Sequence, residues 1–345
     1  MSGLLKLTLA VCGTMLISAA GGLVFEVLDI PVSWLSGGMI AVAVAGLVGV
    51  PVVVPAMLRN LVFFVMGLSI GSAVTPESLR GIGTWPASIV GMVATVVLIT
   101  FTSFAILRWR GGWDRRDAFL ASAPGALSLI VSLSESLKAD VGRITLVQSL
   151  RVALLVLALP PMLRLIAPAG VEIELGAPAT EFDVGQFLIL AAGGVAGSVV
   201  CYLIRMQSPI LLGSLLGSAM LHGTGNIDIA VPRFILIPAL IAIGAIVGSR
   251  FRGIGWAVLR RSAVDGVLTF VATLGLALLA AAIAAELLRF PVGQTALAFA
   301  PGGFDVMTIM AFALGFDPAY VAAHHVVRFL GIAILIPLIF PRRRD

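Results

Sequence analysis

The sequence predicts an all-α, polytopic membrane protein made of two inverted-topology repeats. Three observations predict it. The 345-residue chain is 60% hydrophobic and only 11% charged, whereas soluble domains average about 25% charged. Apolar stretches of about 18–25 residues, long enough to cross roughly 30 Å of hydrocarbon, recur from end to end. The chain also repeats itself, most visibly in "APGALSLIVSLSESLKADVGRITLVQSLR" at 123–151 and "APGGFDVMTIMAFALGFDPAYVAAHHVVR" at 300–328.

The repeat extends well beyond these two stretches. At a constant offset of about 177 residues, Pro55 matches Pro232, Gly67 matches Gly244 and Gly71-Ser72 matches Gly248-Ser249. The same shift takes Pro124-Gly125 to Pro301-Gly302, Asp140 to Asp317, Arg151 to Arg328 and Pro160 to Pro337. Residues 1–167 and 184–345 are read as two copies of one membrane unit. The polar, acidic, Pro/Gly-punctuated stretch 168–183 is read as an external linker.

Each copy holds six apolar segments. The first copy places them near 4–28, 32–50, 57–74, 85–107, 116–137 and 141–166. The second places them near 184–205, 208–222, 233–251, 256–286, 291–314 and 318–341. Lys6 and the run that follows it continue to Leu28 without a cleavage signal, so the first segment reads as a span rather than a removed leader. Cys12 and Cys201 sit singly in apolar runs and read as buried, inert thiols, with no metal spacing.

Loop charges decide the topology. Loop 108–116 carries Arg108, Arg110, Arg115 and Arg116, while its counterpart at 286–290 has Glu286 and Arg289. Conversely, loop 75–84 has Glu77 and Arg80, while its counterpart carries Arg250, Arg252, Arg260 and Arg261. Equivalent loops of opposite character belong on opposite sides of the membrane. That follows if one segment per copy does not cross, and the Ala-Pro-Gly segment is the candidate: Pro breaks a helix interior and Gly permits the break. About ten transmembrane helices plus two Pro-Gly-broken segments, re-entrant or discontinuous, then put about 16 Lys/Arg inside and about 4 outside; twelve straight crossings give about 12 to 8. Both termini fall in the cytoplasm, in a bacterial inner membrane.

Matched Gly/Pro interruptions in two inverted halves point to a secondary-transporter site near the bilayer middle. Half-helices starting after Gly125 and after Gly302-Gly303 would aim their positive ends at a solute; a pair of packed Pro kinks is the structural alternative. Asp140 and Asp317 read as helix caps near the site, Asp317 standing directly before Pro318. Arg151 and Arg328 lie about three turns, roughly 16 Å, beyond those caps, where an unpartnered charge costs at least about 2.5–3.5 kcal/mol. Each Arg either ties up carbonyls left by the break or grips an anion with its planar fork.

Gln148 precedes Arg151 by one turn, and His325 and His324 precede Arg328 at the same range. The substrate-binding candidates are therefore Arg328, Arg151, Pro124, Gly125, Pro301, Gly302, Gly303, Gln148 and His325. Asp305 and His324 are candidates for a coupling ion or proton; Asp305 could equally be an acid stabilised at a half-helix start. The matched "GLSIG" and "GAIVG" read as close helix-packing motifs.

The set "PVSWLSGGM", "GLSIGSAVTPESL", "APGALSLI…AD…QSLR", "SPILLGSLLG" and "APGGFD…FDPAYVAAHHVVR" resembles the bacterial membrane AbrB-duplication family over nearly the whole chain. That family has been labelled both transcriptional regulator and putative ammonia monooxygenase, and the resemblance implies a transport-like membrane protein with two homologous domains. The second copy departs from the family's "APGG…E" pattern in having Asp305 and no Glu soon after. A copper oxygenase wants several histidine ligands, and a direct DNA regulator wants a basic soluble domain. Three histidines and short loops suit neither.

The expected function is a secondary transporter of a small solute, an anion among the candidates, without enzymatic activity, metal or cofactor. The expected partners are the bilayer, the solute and H+ or Na+, with self-association open and no nucleic acid. Its rival is a non-transporting membrane sensor.

Overall fold

The structure, a computed structural model, describes residues 3–74, 81–125, 127–166, 183–206, 208–225, 227 and 229–339. Fourteen α-helices and no strand occur among them. Residues 1–167 supply α1 (Gly3–Val27), α2 (Ser33–Leu47), α3 (Ala56–Ser72), α4 (Trp85–Ala105), α5 (Arg115–Ser122), α6 (Leu127–Ser136) and α7 (Val141–Ile166). Residues 184–345 supply α8 (Val184–Leu203), α9 (Pro209–Gly223), α10 (Arg233–Gly248), α11 (Trp256–Leu288), α12 (Val292–Phe299), α13 (Phe304–Ala313) and α14 (Pro318–Ile339). Each apolar segment of the sequence is thus a helix, and the two Ala-Pro-Gly segments are each a pair of half-helices. Residues 168–182 of the linker and the Arg-rich tail lie outside the described residues.

Among the described residues, six helices are long and apolar enough to cross a membrane: Leu5–Val27, Ile82–Arg110, Val141–Leu165, Val184–Leu203, Arg233–Phe251 and Trp256–Leu288. They show large apolar side chains outward, including Leu16, Val97, Leu188 and Leu279. In water such a surface would drive aggregation; against lipid it costs nothing. Cys201 is buried as expected, but Cys12 is not. It lies on this outward apolar face of α1 beside Leu9 and Leu16, where a weakly polar thiol is tolerated.

Contacts divide the chain into two compact units, each drawing on both sequence copies. One comprises residues 1–81, 156–255 and 308–319, the other 82–155, 256–307 and 320–345. In the first unit, helices approach through glycine. A Cβ on Gly67 or Gly71 of α3 would strike Ser214, Leu215 or Ser218 of α9. One on Gly244 or Gly248 of α10 would strike backbone of α2 at Leu35 or Met39. Thus α3 packs on α9 and α10 packs on α2, and "GLSIG" and "GAIVG" are the contact stripes. Within each copy, Gly21 and Gly37 interlock α1 with α2, and Gly197 and Gly213 interlock α8 with α9.

The second unit is organised around Trp113, fully buried among Leu107, Leu120, Ile130, Ile144 and Val147. Its indole Nε1 donates to Asp265 (3.0 Å), whose other oxygen accepts from Arg110 (2.9 Å). The Arg143 guanidinium lies 3.9 Å above the ring centroid. α4 ends in a π-helical turn, Ile106–Arg110, which carries Arg110 to Asp265. This network was not singled out from the sequence. The signal was available: Asp265 is a lone acid inside an apolar helix, a residue that always needs a partner.

Candidate functional site

Arg151, Arg328, Gln148, His325 and the two Pro-Gly breaks converge inside the second unit, and the cause is a missing hydrogen. In an unbroken helix the Leu120 carbonyl would accept from residue 124 and the Leu297 carbonyl from residue 301. Both positions are proline, which has no N–H. The chain supplies the two absent donors from side chains 28 residues downstream. Gln148 Nε2 donates to Leu120 O (3.0 Å), and His325 Nε2 donates to Leu297 O (3.0 Å).

The arginines serve the carbonyls just beyond. Arg328 Nη1 donates to Ala300 O (2.7 Å), and its Nη2 donates to Gly302 O and to His325 Nδ1. Arg151 makes a looser set, shifted toward the preceding half-helix. Its Nη1 reaches Ser122 O (3.5 Å) and its Nη2 reaches Ala123 O and Gln148 Oε1 (3.3 Å each). Gln148 and His325 are thus chemically unlike but geometrically equivalent: each donates to an orphan leucine carbonyl and accepts from its own arginine. Because Nε2 of His325 faces a carbonyl and Nδ1 faces a guanidinium N–H, that ring is held neutral as the Nε2–H tautomer.

The two breaks face each other. Gly125 turns the first with φ of +87°, in the left-handed region that Gly enters without steric penalty. A Cβ there would lie 3.6 Å from Arg328 Nη2 and 3.9 Å from Gly302 O. The two guanidiniums, each 4% exposed, border the same break: Arg328 Nη2 reaches Gly125, and Arg151 Nη2 reaches Ala123 O two residues earlier. Neither forms an ion pair among the described residues. Arg151 Nε and the neighbouring Ser149 Oγ are buried with no hydrogen-bond partner among those residues.

Pro124 and Pro301 are buried at the breaks, with Gly302 beside Pro301 and the half-buried Gly303 leading into α13. Asp305 lies in the first turn of α13. Asp140 Oδ1 accepts from Arg143 N–H (3.0 Å) and Asp317 Oδ1 from Ala319 N–H (2.9 Å), so both act as caps. His324, though adjacent to His325, turns away from the arginines toward α4, where Nε2 lies 2.9 Å from Ser88 Oγ. Ser88 was not singled out from the sequence, since a lone serine in an apolar helix carries no signal.

The profile of the AbrB family, described as "Transition state regulatory protein AbrB", matches residues 34–343. This chain belongs to the AbrB family. An AbrB-like relative in Escherichia coli (strain K12), named "Putative regulator AbrB", is 26% identical, covering 91% of this chain and 91% of that protein. "Uncharacterized protein YhjN" of Bacillus subtilis (strain 168) is 27% identical, covering 93% of this chain and 90% of that protein. No solved structure matches. The AbrB-family match takes in both breaks and both arginines of the site.

Proposed function

We propose that this AbrB-family chain is a secondary transporter that carries a small anionic solute across the bacterial cytoplasmic membrane by alternating access. One observation carries the reading: two buried guanidiniums border the place where two helix breaks meet, without carboxylate partners among the described residues. Orphan carbonyls alone do not require that charge. Gln148 fills one with a neutral amide. A like-charged pair in a low-dielectric site is costly, and an anion seated between the breaks offsets the cost, helped by the positive end of α13. A regulatory effect of the kind named for the Escherichia coli relative would then follow from solute uptake.

The transport reading includes two inverted repeats with both termini cytoplasmic. Three pairings support it. Arg164 pairs with Asp29 (3.2 Å), Arg252 Nη1 donates to Val52 O (3.1 Å) and Arg110 pairs with Asp265. Each joins residues that the inverted topology puts on one side. Twelve straight crossings would put each pair on opposite sides, about 30 Å of hydrocarbon apart. Single cysteines at 111–114 and at 253–256, in a Cys-free background, are expected to react with an impermeant maleimide only from the cytoplasm; labelling from opposite sides refutes the topology.

Ligand class is tested by thermal unfolding of the purified protein with phosphate, sulfate, mono- and dicarboxylates, and with choline and sugars as controls. A bound anion at 100 times its Kd should add about 2.7 kcal/mol. Stabilisation confined to the controls, or none at all, removes the anion reading. Uptake of the stabilising anion into proteoliposomes separates a transporter from a membrane sensor, which binds without accumulation.

A further inference from the structure

His324 and His325 are neighbours in sequence with opposite capacities for a proton. His325 has none to spare: Nε2 donates to Leu297 O and Nδ1 accepts from Arg328, so a second ring proton would meet the guanidinium N–H head on. His324 is built differently. Its Nδ1 lies 2.8 Å from Tyr320 O, a group that only accepts, so the neutral ring carries its hydrogen on Nδ1. The lone pair is then on Nε2, 2.9 Å from Ser88 Oγ. Ser88 Oγ is also 2.9 Å from Trp85 O.

One hydroxyl hydrogen thus has two acceptors within reach. With His324 neutral, Ser88 donates to Nε2. When hydronium gives a proton to the Nε2 lone pair and leaves as water, the new N–H donates to Ser88 Oγ and the hydroxyl rotates to Trp85 O. Every donor is paired in both states, and the only movement needed is a rotor. We propose that His324, with Ser88 as its switching partner, is the proton-binding site of the transport cycle. This assignment of the coupling ion rests on the transport reading above.

The surroundings fit a site reserved for a proton. His324 and Ser88 are fully buried, so exchange with water requires the neighbouring helices to open, as a coupled cycle demands. The titratable or charged groups nearby are Tyr320, His325 and Arg328, all on α14. α4 presents Trp85 and Ser88, and α12 presents Phe299; none of these titrates. Among the described residues no group of three or more His, Cys, Asp or Glu is placed to hold a metal. At the repeat offset Val147 occupies the position of His324, so one site per chain binds the proton.

The test needs no solute. The full chain, labelled with 15N-histidine and held in lipid nanodiscs, has three histidines to resolve by NMR from pH 9 to pH 4. His→Gln variants at 222, 324 and 325 assign the signals. His324 is expected to be the Nδ1–H tautomer at high pH and to gain its proton on Nε2 as pH falls, while His325 stays Nε2–H throughout. Ser88→Ala should cut the protonated-to-neutral ratio of His324 about tenfold at a given pH. A His324 hydrogen on Nε2 at high pH, a ring that stays neutral down to pH 4, or titration of His325 instead overturns the proposal. The wild-type tautomer decides even if Ser88→Ala fails to fold. Anion binding and uptake are measured separately, so either reading can fail while the other stands.

Discussion

Arg328→Ala is expected to lower the unfolding free energy by about 2–6 kcal/mol, read as thermal or denaturant unfolding of the purified protein. The estimate follows from what the side chain leaves behind. Gly302 O and His325 Nδ1 lose a buried donor, and each unsatisfied buried group costs about 1–3 kcal/mol. Arg328→Lys should recover only part of the loss, because an ammonium cannot span Ala300 O, Gly302 O and His325 Nδ1 as a planar fork does. Arg151→Ala should cost less, since its bonds are longer, at 3.3–3.5 Å. His325→Gln should be nearly neutral, because Gln148 already plays that part in the other copy. If Arg328→Ala melts like wild type, the guanidinium is not what holds the break together.

The second large effect is expected at the glycine interlocks. Gly213→Ala would place its Cβ against the backbone of Ser198 and Gly197, which cannot yield as a flexible side chain can. Overpacking of this kind costs about 1–3 kcal/mol, and a β-branched residue should reach the top of that range. Gly275→Ala is the control, because open space surrounds it and the substitution also favours helix by about 1 kcal/mol. Equal melting of Gly213→Ala and wild type would mean that α8 and α9 separate freely.

Much of this was legible in the sequence. Hydropathy and length located the helices, since lipid leaves a chain few other ways to satisfy its backbone. Pro124 and Pro301 located the breaks because a missing N–H is a property of the residue alone. The task of the arginines was not legible: a bidentate carbonyl tie and a bidentate anion grip need the same side chain. From sequence, His324 and His325 take different roles, but sequence could not show which side chains they meet. Successive helical positions point about 100° apart, from 3.6 residues per turn, and only packing decides which ring meets Arg328 and which meets Ser88. The Asp265 network was missed although a lone acid in an apolar helix announces a partner. That partner, Arg110, is 155 residues away in the chain.

That each compact unit takes helices from both copies bears on how the chain is made. Emerging N-terminus first, residues 1–167 present Gly67 and Gly71 with nothing to meet, because α9 has not been synthesised. Their apolar stripes must wait in lipid, half-assembled, until ribosomes have translated the later helices. Neither half is expected to fold by itself. Two fragments split at the linker should be degraded when expressed singly and survive when expressed together, as the halves of a clasp do.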